Sequence, residues 1–513
     1  MRKTLTLELS PYDAESSLLI RAAKKLGISS LDGLKLKIEK KSIDARHRSN
    51  IKIIYSVTVF DKEDAVETKV YEKLPSSRTV VVVGCGPAGL FCALTLARHG
   101  IKPLVFEQGE SVEYRTKSVT AFFEGGNLNT SSNVQFGEGG AGAFSDGKLN
   151  TQVNSPVIKD VLKDFVTFGV PNDILYLSKP HIGSDNLPKV VKNIRNEVIS
   201  LGGQFYFSTK VSSLLLKNGC VSGVKTQDGK IFEADSVVLA IGHSSRDTFF
   251  TLNALGVYME QKEFAVGLRV EQLQSVINKE RYGEKFSSLK TLPPADYKLV
   301  SHPLERGVFT FCMCPGGVVV PAASEEGETV VNGMSNYSRD GINANSAVIC
   351  QVKKEDFSSD SPLAGVVLQR EIERKTYLSV GDYKAPVQLA SDFISGTPSK
   401  ALNGVLPTYS RGFDFFMLEN LFPNVIAENL KAGLFDMDKK LNGFASNGAV
   451  LSGAETRTSS PVRITRDENF ESVNVKNLYP CGEGCGYAGG IASASADGVK
   501  VAEAIFAKLR RKS

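Results

Sequence analysis

A chain of 513 residues is longer than one hydrophobic core usually organises, so two or three domains are expected. Apolar residues make up 42% and charged residues 23%, which excludes a largely disordered chain, and a net charge of +5 is far less than a nucleic-acid coat carries. Glycine is plentiful at 46 and tryptophan absent, a composition that suggests backbone brought close to a ligand.

In chain order, MRKTLTLELS has Glu8 interrupting its apolar run, so no secretion signal is expected. No window reaches the roughly 18 to 20 apolar residues of a membrane helix, so no membrane span is expected. Eight cysteines are too sparse for a disulfide scaffold and fit a reducing cytoplasm. Residues 4–9 alternate as a strand, 13–26 carry apolar residues at helical spacing, and 33–41 and 50–60 alternate again, which predicts a small N-terminal α/β domain over 1–77. Its basic residues Lys35, Lys37, Lys40, Lys41, Arg46, Arg48 and Lys52 have no aromatic ladder beside them and read as a solvated face. Pro75 and the following serines place a boundary near Ser77.

Beyond it, a strand (79–83), a helix (87–99) and a strand (102–106) lead into a long glycine-rich loop ending near Thr151. Helices over 156–169 and 187–201 precede strands at 204–217, 221–226 and 235–241. Residues 257–445 mix strands with helices near 361–379 and 414–431, and the last helix covers 491–509. The expected fold is α/β. A discontinuous Rossmann-like domain of 78–256 and 446–513 would carry an inserted mixed α+β substrate domain of 257–445.

The segment RTVVVVGCGPAGLFCALTLARHGIKPLVFEQG is the most informative. A glycine triplet of this spacing means little alone, but here it leaves a valine strand, opens a helix and is followed by a second strand. Gly84 allows the tight turn. Gly86 lets backbone approach a pyrophosphate, with Pro87 and Ala88 on the helix's first turn, and Gly89 permits close packing of helix on strand. Glu107, ending the second strand, is placed to accept from both ribose hydroxyls and disfavours a 2′-phosphate, so FAD or NAD is expected before NADP. Gly109 and Arg115 extend this pattern as flavoproteins do.

NLYPCGEGCGYAGGIASASADGVKVAEAIF supplies a second half. A strand reaching Tyr479 is followed by Gly482 and Glu483, then Gly489 and Gly490 open a helix at Ile491. That spacing resembles the terminal FAD motif of glutathione-reductase-type folds, in which an acidic side chain takes the ribitol. Helix-end N–H groups then face the flavin pyrimidine, where reduction places negative charge. Between the two motifs an apolar strand ends in Ala240, Ile241 and Gly242, returning the chain to the cofactor. Noncovalent FAD is the expected cofactor.

With these residues in place, GEGGAGAFSDGKLNT (137–151), FAVGLRVE (264–271), FCMCPGGVVVPAASEEG (311–327), ETRTSSPVRI (455–464) and KKSIDAR near residue 40 resemble a family of bacterial FAD-dependent dehydrogenases commonly described as uncharacterised. The resemblance implies an FAD oxidoreductase of the two-dinucleotide type with no stated substrate. Cys485 stands where similar sequences carry a small residue.

The loop 137–151 spells two decoys. Gly137 to Gly142 lacks the strand and helix of a nucleotide site, and Gly142 to Lys148 lacks the following Ser or Thr of a P-loop. It reads instead as a flavin-side loop, with Gly139 and Gly140 near the ring and Ser145, Asp146 or Lys148 near its reacting edge, although Lys148 reads equally as a solvent-facing loop lysine. Cys312 and Cys314 read as small buried hydrophobes, because alternate residues of a regular strand stand about 6.5 to 7 Å apart, too far for an easy disulfide. Arg457 and Arg463 are candidates for an anionic substrate, equally readable as interdomain salt bridges. No metal site is expected. The resulting expectation is hydride transfer through flavin N5 to or from a small molecule, with NADH or NADPH as a visiting donor. The alternatives are a non-catalytic binding protein on the same fold and a flavin monooxygenase. Nothing fixes the oligomeric state.

Overall fold

The four valines of Thr79–Val83 form the middle strand of a five-stranded parallel sheet in the computed structural model, which describes residues 1–62, 69–75, 78–151, 155–446 and 448–511. The sheet order is Leu478–Pro480, Ser236–Leu239, Thr79–Val83, Lys102–Phe106, Gln204–Tyr206. Val80 and Val82 face one core and Val81 and Val83 the other, so continuous valine is what a strand covered on both faces requires. Fully burying each such side chain contributes about 1.5 to 3 kcal/mol. One cover is made by the helices Pro87–Arg98, Pro156–Thr167, Leu187–Ser200 and Ile491–Arg510. The helix Arg246–Ala254 and a small antiparallel sheet of Val211–Lys217, Cys220–Thr226 and Ile231–Glu233 contribute to the other.

Helices Pro87–Arg98 and Ile491–Arg510 pack closely because Gly498 has no side chain. A Cβ there would stand 2.1 Å from the Ala88 carbonyl oxygen. This contact brings the two helix N-termini to the same edge of the sheet, outside the carboxyl ends of its strands.

A second, seven-stranded sheet runs Val300–Ser301, Val308–Cys314, Asn343–Val352, Phe264–Leu273, Val450–Glu455, Ala385–Leu389, Phe413–Phe415. Near the N-terminus, Lys52–Phe60 pairs antiparallel with both Arg2–Leu9 and Lys35–Asp44, and the helix Leu18–Leu26 buries Leu18, Ala22 and Ala23. Leu9, Tyr55 and Val57 of this sheet share one continuous apolar cluster with Leu268, Val348 and Leu430.

Several expectations need correction. The expected boundary near Ser77 falls outside the described residues. The glycine-rich loop before Thr151 contains a helix, Val112–Phe123, hidden by its mixed polarity. The single strand expected over 204–217 is two strands in different sheets, interrupted where Ser208 takes a positive φ of 49°. The helix expected over 414–431 is Asn424–Lys440, because Pro423 sits at its N-cap and the preceding Phe413–Phe415 pairs as an edge strand. The chain also does not return to the parallel sheet at 446, since Val450–Glu455 pairs with Phe264–Leu273 and Ala385–Leu389.

Candidate functional site

Where the two helix N-termini meet, a cleft opens with about 1820 Å³ of space between atoms, including its solvent-open mouth. One wall is mainly backbone. Gly84, Gly86, Pro87 and Ala88 line it beside Glu107, Gly140, Ala240, Gly242, Glu483, Gly489, Gly490 and Ile491. Gly84 has φ +101°, and a Cβ there would lie 2.3 Å from the Ala240 oxygen, so the tight turn admits no side chain. A Cβ at Gly89 would lie 2.0 Å from the Gly84 oxygen, the close helix-on-strand packing its position predicts. By contrast, a Cβ at Gly489 or Gly490 would meet nothing within 4 Å, and one at Gly86 only the Gly140 Cα at 3.7 Å. Backbone at these three positions faces open space, as a cofactor lying against it requires. His243, also on this wall, has its Nδ1 3.4 Å from Glu483 Oε1, while its buried Nε2 has no hydrogen-bond partner among the described residues. An orphaned ring nitrogen in a cleft wall is a ready partner for a bound polar group. Open glycine backbone, two helix N-termini and this nitrogen together fit an FAD-sized ligand.

Not every expected cofactor residue reaches the cleft. Arg115 is completely buried behind the loop and donates to the carbonyls of Asn133, Val134, Gly137, Glu138 and Gly140. Burial lowers its pKa to about 10. It is neither a surface charge nor a ligand contact but the clasp that shapes the loop. Gly109 packs on Gly137, where a Cβ would come within 2.6 Å of that Cα. Gly139 is held against Ala143 and Val191, with its N–H on the Cys85 carbonyl. Gly482 faces Ala88 and donates to Asp497 Oδ2 at 2.8 Å. Glu107 does line the cleft, but its carboxylate already accepts from the N–H groups of Cys85, Gly109 and Gly137 at 2.9 to 3.0 Å. Much of its acceptor capacity therefore holds the turn and the loop in place, leaving less for two ribose hydroxyls than its position alone suggests.

The opposing wall is made of side chains from distant parts of the chain: Asp146, Lys148, Cys312, Glu455 and Arg457. Asp146 is fully buried. Arg339 donates to both its oxygens at 2.9 and 2.6 Å, Lys148 Nζ lies 2.8 Å from Oδ2, and Ser335 hydrogen-bonds Oδ1. Burial alone would raise its carboxyl, but the charges of Lys148 and Arg339 hold it far below the usual range, so it stays an anion that positions Lys148. Burial opposes the Lys148 charge too, yet Cys314 and Asp146 nearby keep the ammonium above its ordinary pKa.

Glu455, absent from the sequence-level candidates, ends the strand Val450–Glu455 with Arg269 Nη1 at 3.1 and 2.8 Å from its oxygens. Burial outweighs that partner and raises its carboxyl to about 7. Arg457 lines the cleft with its fork engaged: Nε and Nη2 donate to Glu373 at 3.2 and 2.8 Å, and Nη1 reaches Ser324. Glu373 also accepts from Arg246, and the two guanidinium groups keep it ionised despite burial. For Arg457 the salt-bridge reading therefore prevails over a free anion clamp. Arg463 is exposed and does not line the cleft, with its guanidinium 5.4 Å from the Tyr487 ring centroid.

The regular-strand picture of Cys312 and Cys314 also fails. The register between Val308–Cys314 and Asn343–Val352 shifts between Phe311 and Cys314, and Cys312 takes φ +45°. A bulge there re-aims both side chains. Cys312 lines the cleft, and Cys314 lies fully buried behind it.

Three family models match the chain. Residues 78–272 match "Pyridine nucleotide-disulphide oxidoreductase", 263–458 match "FAD-dependent protein, C-terminal domain-like", and 1–60 match a domain of unknown function. An uncharacterized protein of Clostridium beijerinckii is 47% identical over 523 residues, covering 98% of each chain. Among solved structures, L-proline dehydrogenase from P. horikoshii is 14% identical with a TM-score of 0.35, covering 84% of this chain and 94% of its own. A flavin-dependent brominase is 11% identical with a TM-score of 0.37, covering 85% and 80%. Likeness at that level carries no part of the argument. Among the described residues no helix is long and apolar enough to cross a membrane.

Proposed function

Because this chain belongs to an FAD-dependent oxidoreductase family, we propose that its cleft holds FAD noncovalently and that the protein transfers hydride between flavin N5 and a small molecule. When bound, the flavin supplies the two-electron chemistry. Gly84, Gly86 and the N-terminus of Pro87–Arg98 cradle the pyrophosphate, and Glu107 takes the ribose with its remaining acceptor capacity. Glu483 and His243 hold polar groups farther along, and the N-terminus of Ile491–Arg510, with no acidic residue in its first turn, offsets negative charge on the reduced ring. Residues 78–256 with the terminal segment hold the cofactor. The seven-stranded sheet closes the cleft from the other side, and its strand Val450–Glu455 moves the division of labour past residue 446.

The observation that carries this reading is one cleft walled on one side by open glycine backbone and on the other by Lys148, Glu455 and Arg457. In it, Lys148 supplies fixed positive charge and Glu455 moves a proton. A carboxyl raised to about 7 is half ionised near neutrality, suited to give or take a proton there. NADH or NADPH would visit the same cleft as donor. A visible spectrum of the purified protein, followed by anaerobic addition of NADH and then NADPH, tests this. Flavin bands that bleach with either establish the oxidoreductase and its donor. A colourless protein that takes up no FAD overturns the reading, and rapid oxygen consumption with hydroxylated product turns it into a monooxygenase.

A further inference from the structure

The bulge at Cys312 brings together groups that a regular strand would keep apart. Cys314 Sγ lies 3.3 Å from the Cys312 carbonyl oxygen, which sets the two cysteines side by side at the bulge. Two cations converge on the pair: Lys148 Nζ is 3.9 Å and Arg269 Nη2 4.0 Å from Cys314 Sγ, and Arg269 Nη2 also donates to the Cys312 carbonyl at 2.9 Å. Arg269 is fully buried and fixed by Glu455 and Asn345, so its charge cannot swing away. The neighbouring Cys314 thiol, with Lys148 and Arg269 close by, draws Cys312 down to about 6 against burial, while Cys314 is pushed well up. The two titrate as a unit that loses one proton easily and holds the second. A thiolate is the reactive form, and electropositive, partly accessible surroundings are where reactive cysteines sit. Among the described residues neither Cys92 nor Cys485 hydrogen-bonds to a cation, and burial pushes Cys485 up to about 12.

We propose that Cys312 and Cys314 are a redox pair in the cleft wall, closing to a disulfide as they pass two electrons to FAD and reopening when the electrons return. From the thiolate–thiol state, closing forms one Sγ–Sγ bond and breaks one S–H bond. Two electrons and that proton go to the oxidised flavin, the proton directly or by way of Glu455, and the proton lost when the thiolate formed is already in solvent. The reverse direction consumes the same electrons and proton. Cys312 faces the cleft and Cys314 completes the bond from behind, while Lys148 and Arg269 hold the negative charge on whichever sulfur bears it. The electron partner in this inference rests on the FAD reading above; the pair itself does not.

The full-length flavoprotein supplies the test. After exposure to diamide, remaining thiols are alkylated with iodoacetamide in denaturant and the chain is mapped by peptide mass spectrometry. The peptide carrying Cys312 and Cys314 is expected unalkylated and lighter by two hydrogens; alkylation at both positions overturns the pair. Flavin content is then fixed by absorbance and the diamide-oxidised protein titrated anaerobically with dithionite. Wild type is expected to take up two electrons more per chain than its flavin accounts for, with Cys312→Ser and Cys314→Ser each keeping flavin and losing that excess. Uptake equal to flavin content in all three proteins overturns electron sharing. A protein without flavin overturns the FAD reading and its electron partner together, whereas the peptide map still reports on the sulfurs alone.

Discussion

The two walls of the cleft are built by opposite means. On the side of Gly84, Gly86, Gly489 and Gly490 the cleft wall is backbone, and its polar groups are N–H groups at helix ends. On the side of Lys148, Cys312, Glu455 and Arg457 the surface is side chains, each held by a buried partner: Asp146 for Lys148, Arg269 for Glu455, Glu373 for Arg457. A backbone wall is specified locally, by glycines at fixed offsets. A side-chain wall is specified by which strands pair. The contrast teaches that the two walls rest on separable features, so substitutions can test each wall by itself.

The largest expected effect is on the backbone wall. Gly86→Val places a branched side chain where the backbone faces the cleft and only Gly140 Cα is near, so FAD affinity is expected to fall by at least tenfold, about 1.4 kcal/mol or more. Flavin absorbance retained after gel filtration checks it, and unchanged flavin content would mean that the pyrophosphate lies elsewhere. On the opposite wall Glu455→Gln is expected to leave flavin content intact. It should slow reduction by the donor by roughly 100-fold, within the range ascribed to general acid–base groups, and erase a pH dependence centred near 7. Stopped-flow bleaching across pH reads both, and a retained pH dependence would remove Glu455 from the proton path.

Beneath the backbone wall, Glu138 is fully buried on Arg195 and the Val112 N–H, and burial raises its carboxyl from 4.5 to about 7. Between those values the unfolded chain releases the proton that the folded chain keeps. Stability therefore falls as pH rises through this window, by on the order of 3 kcal/mol in all. Glu138→Gln should flatten that part of the pH profile in denaturant melts, and an unaltered slope would assign it to other groups. The smallest effect is expected for Arg463→Ala. This exposed residue, which does not line the cleft, should change stability by no more than about 0.5 kcal/mol and leave flavin reduction unaltered, as calorimetry and the NADH titration would report. A marked loss of reduction would restore it to the substrate site.

Much of the backbone wall was legible beforehand. Gly84, Gly86 and Gly89 sit in the turn and packing contacts their spacing implies, and Gly489, Gly490 and Ile491 open the last helix where expected. Local rules misled where a residue served the loop instead of the cleft. Arg115, Gly109 and Gly139 belong to the correct segments, but they brace the 131–140 turn against itself. Glu455 is not legible in ETRTSSPVRI, because nothing in that segment says that its strand pairs with the one carrying Arg269. The geometry of a regular strand makes Cys312 and Cys314 simple buried side chains, and the bulge removes that premise.

By itself, the sequence determined the parallel sheet's central strands, the two glycine-opened helices and the FAD family, because these depend on φ angles, helix ends and alternation over a few adjacent residues. Only the tertiary structure decided what faces the glycine wall of the cleft. Lys148, Cys312 and Glu455 come from elements far apart in the chain, and what places them is strand pairing and buried charge compensation, interactions that leave no periodic trace along the sequence.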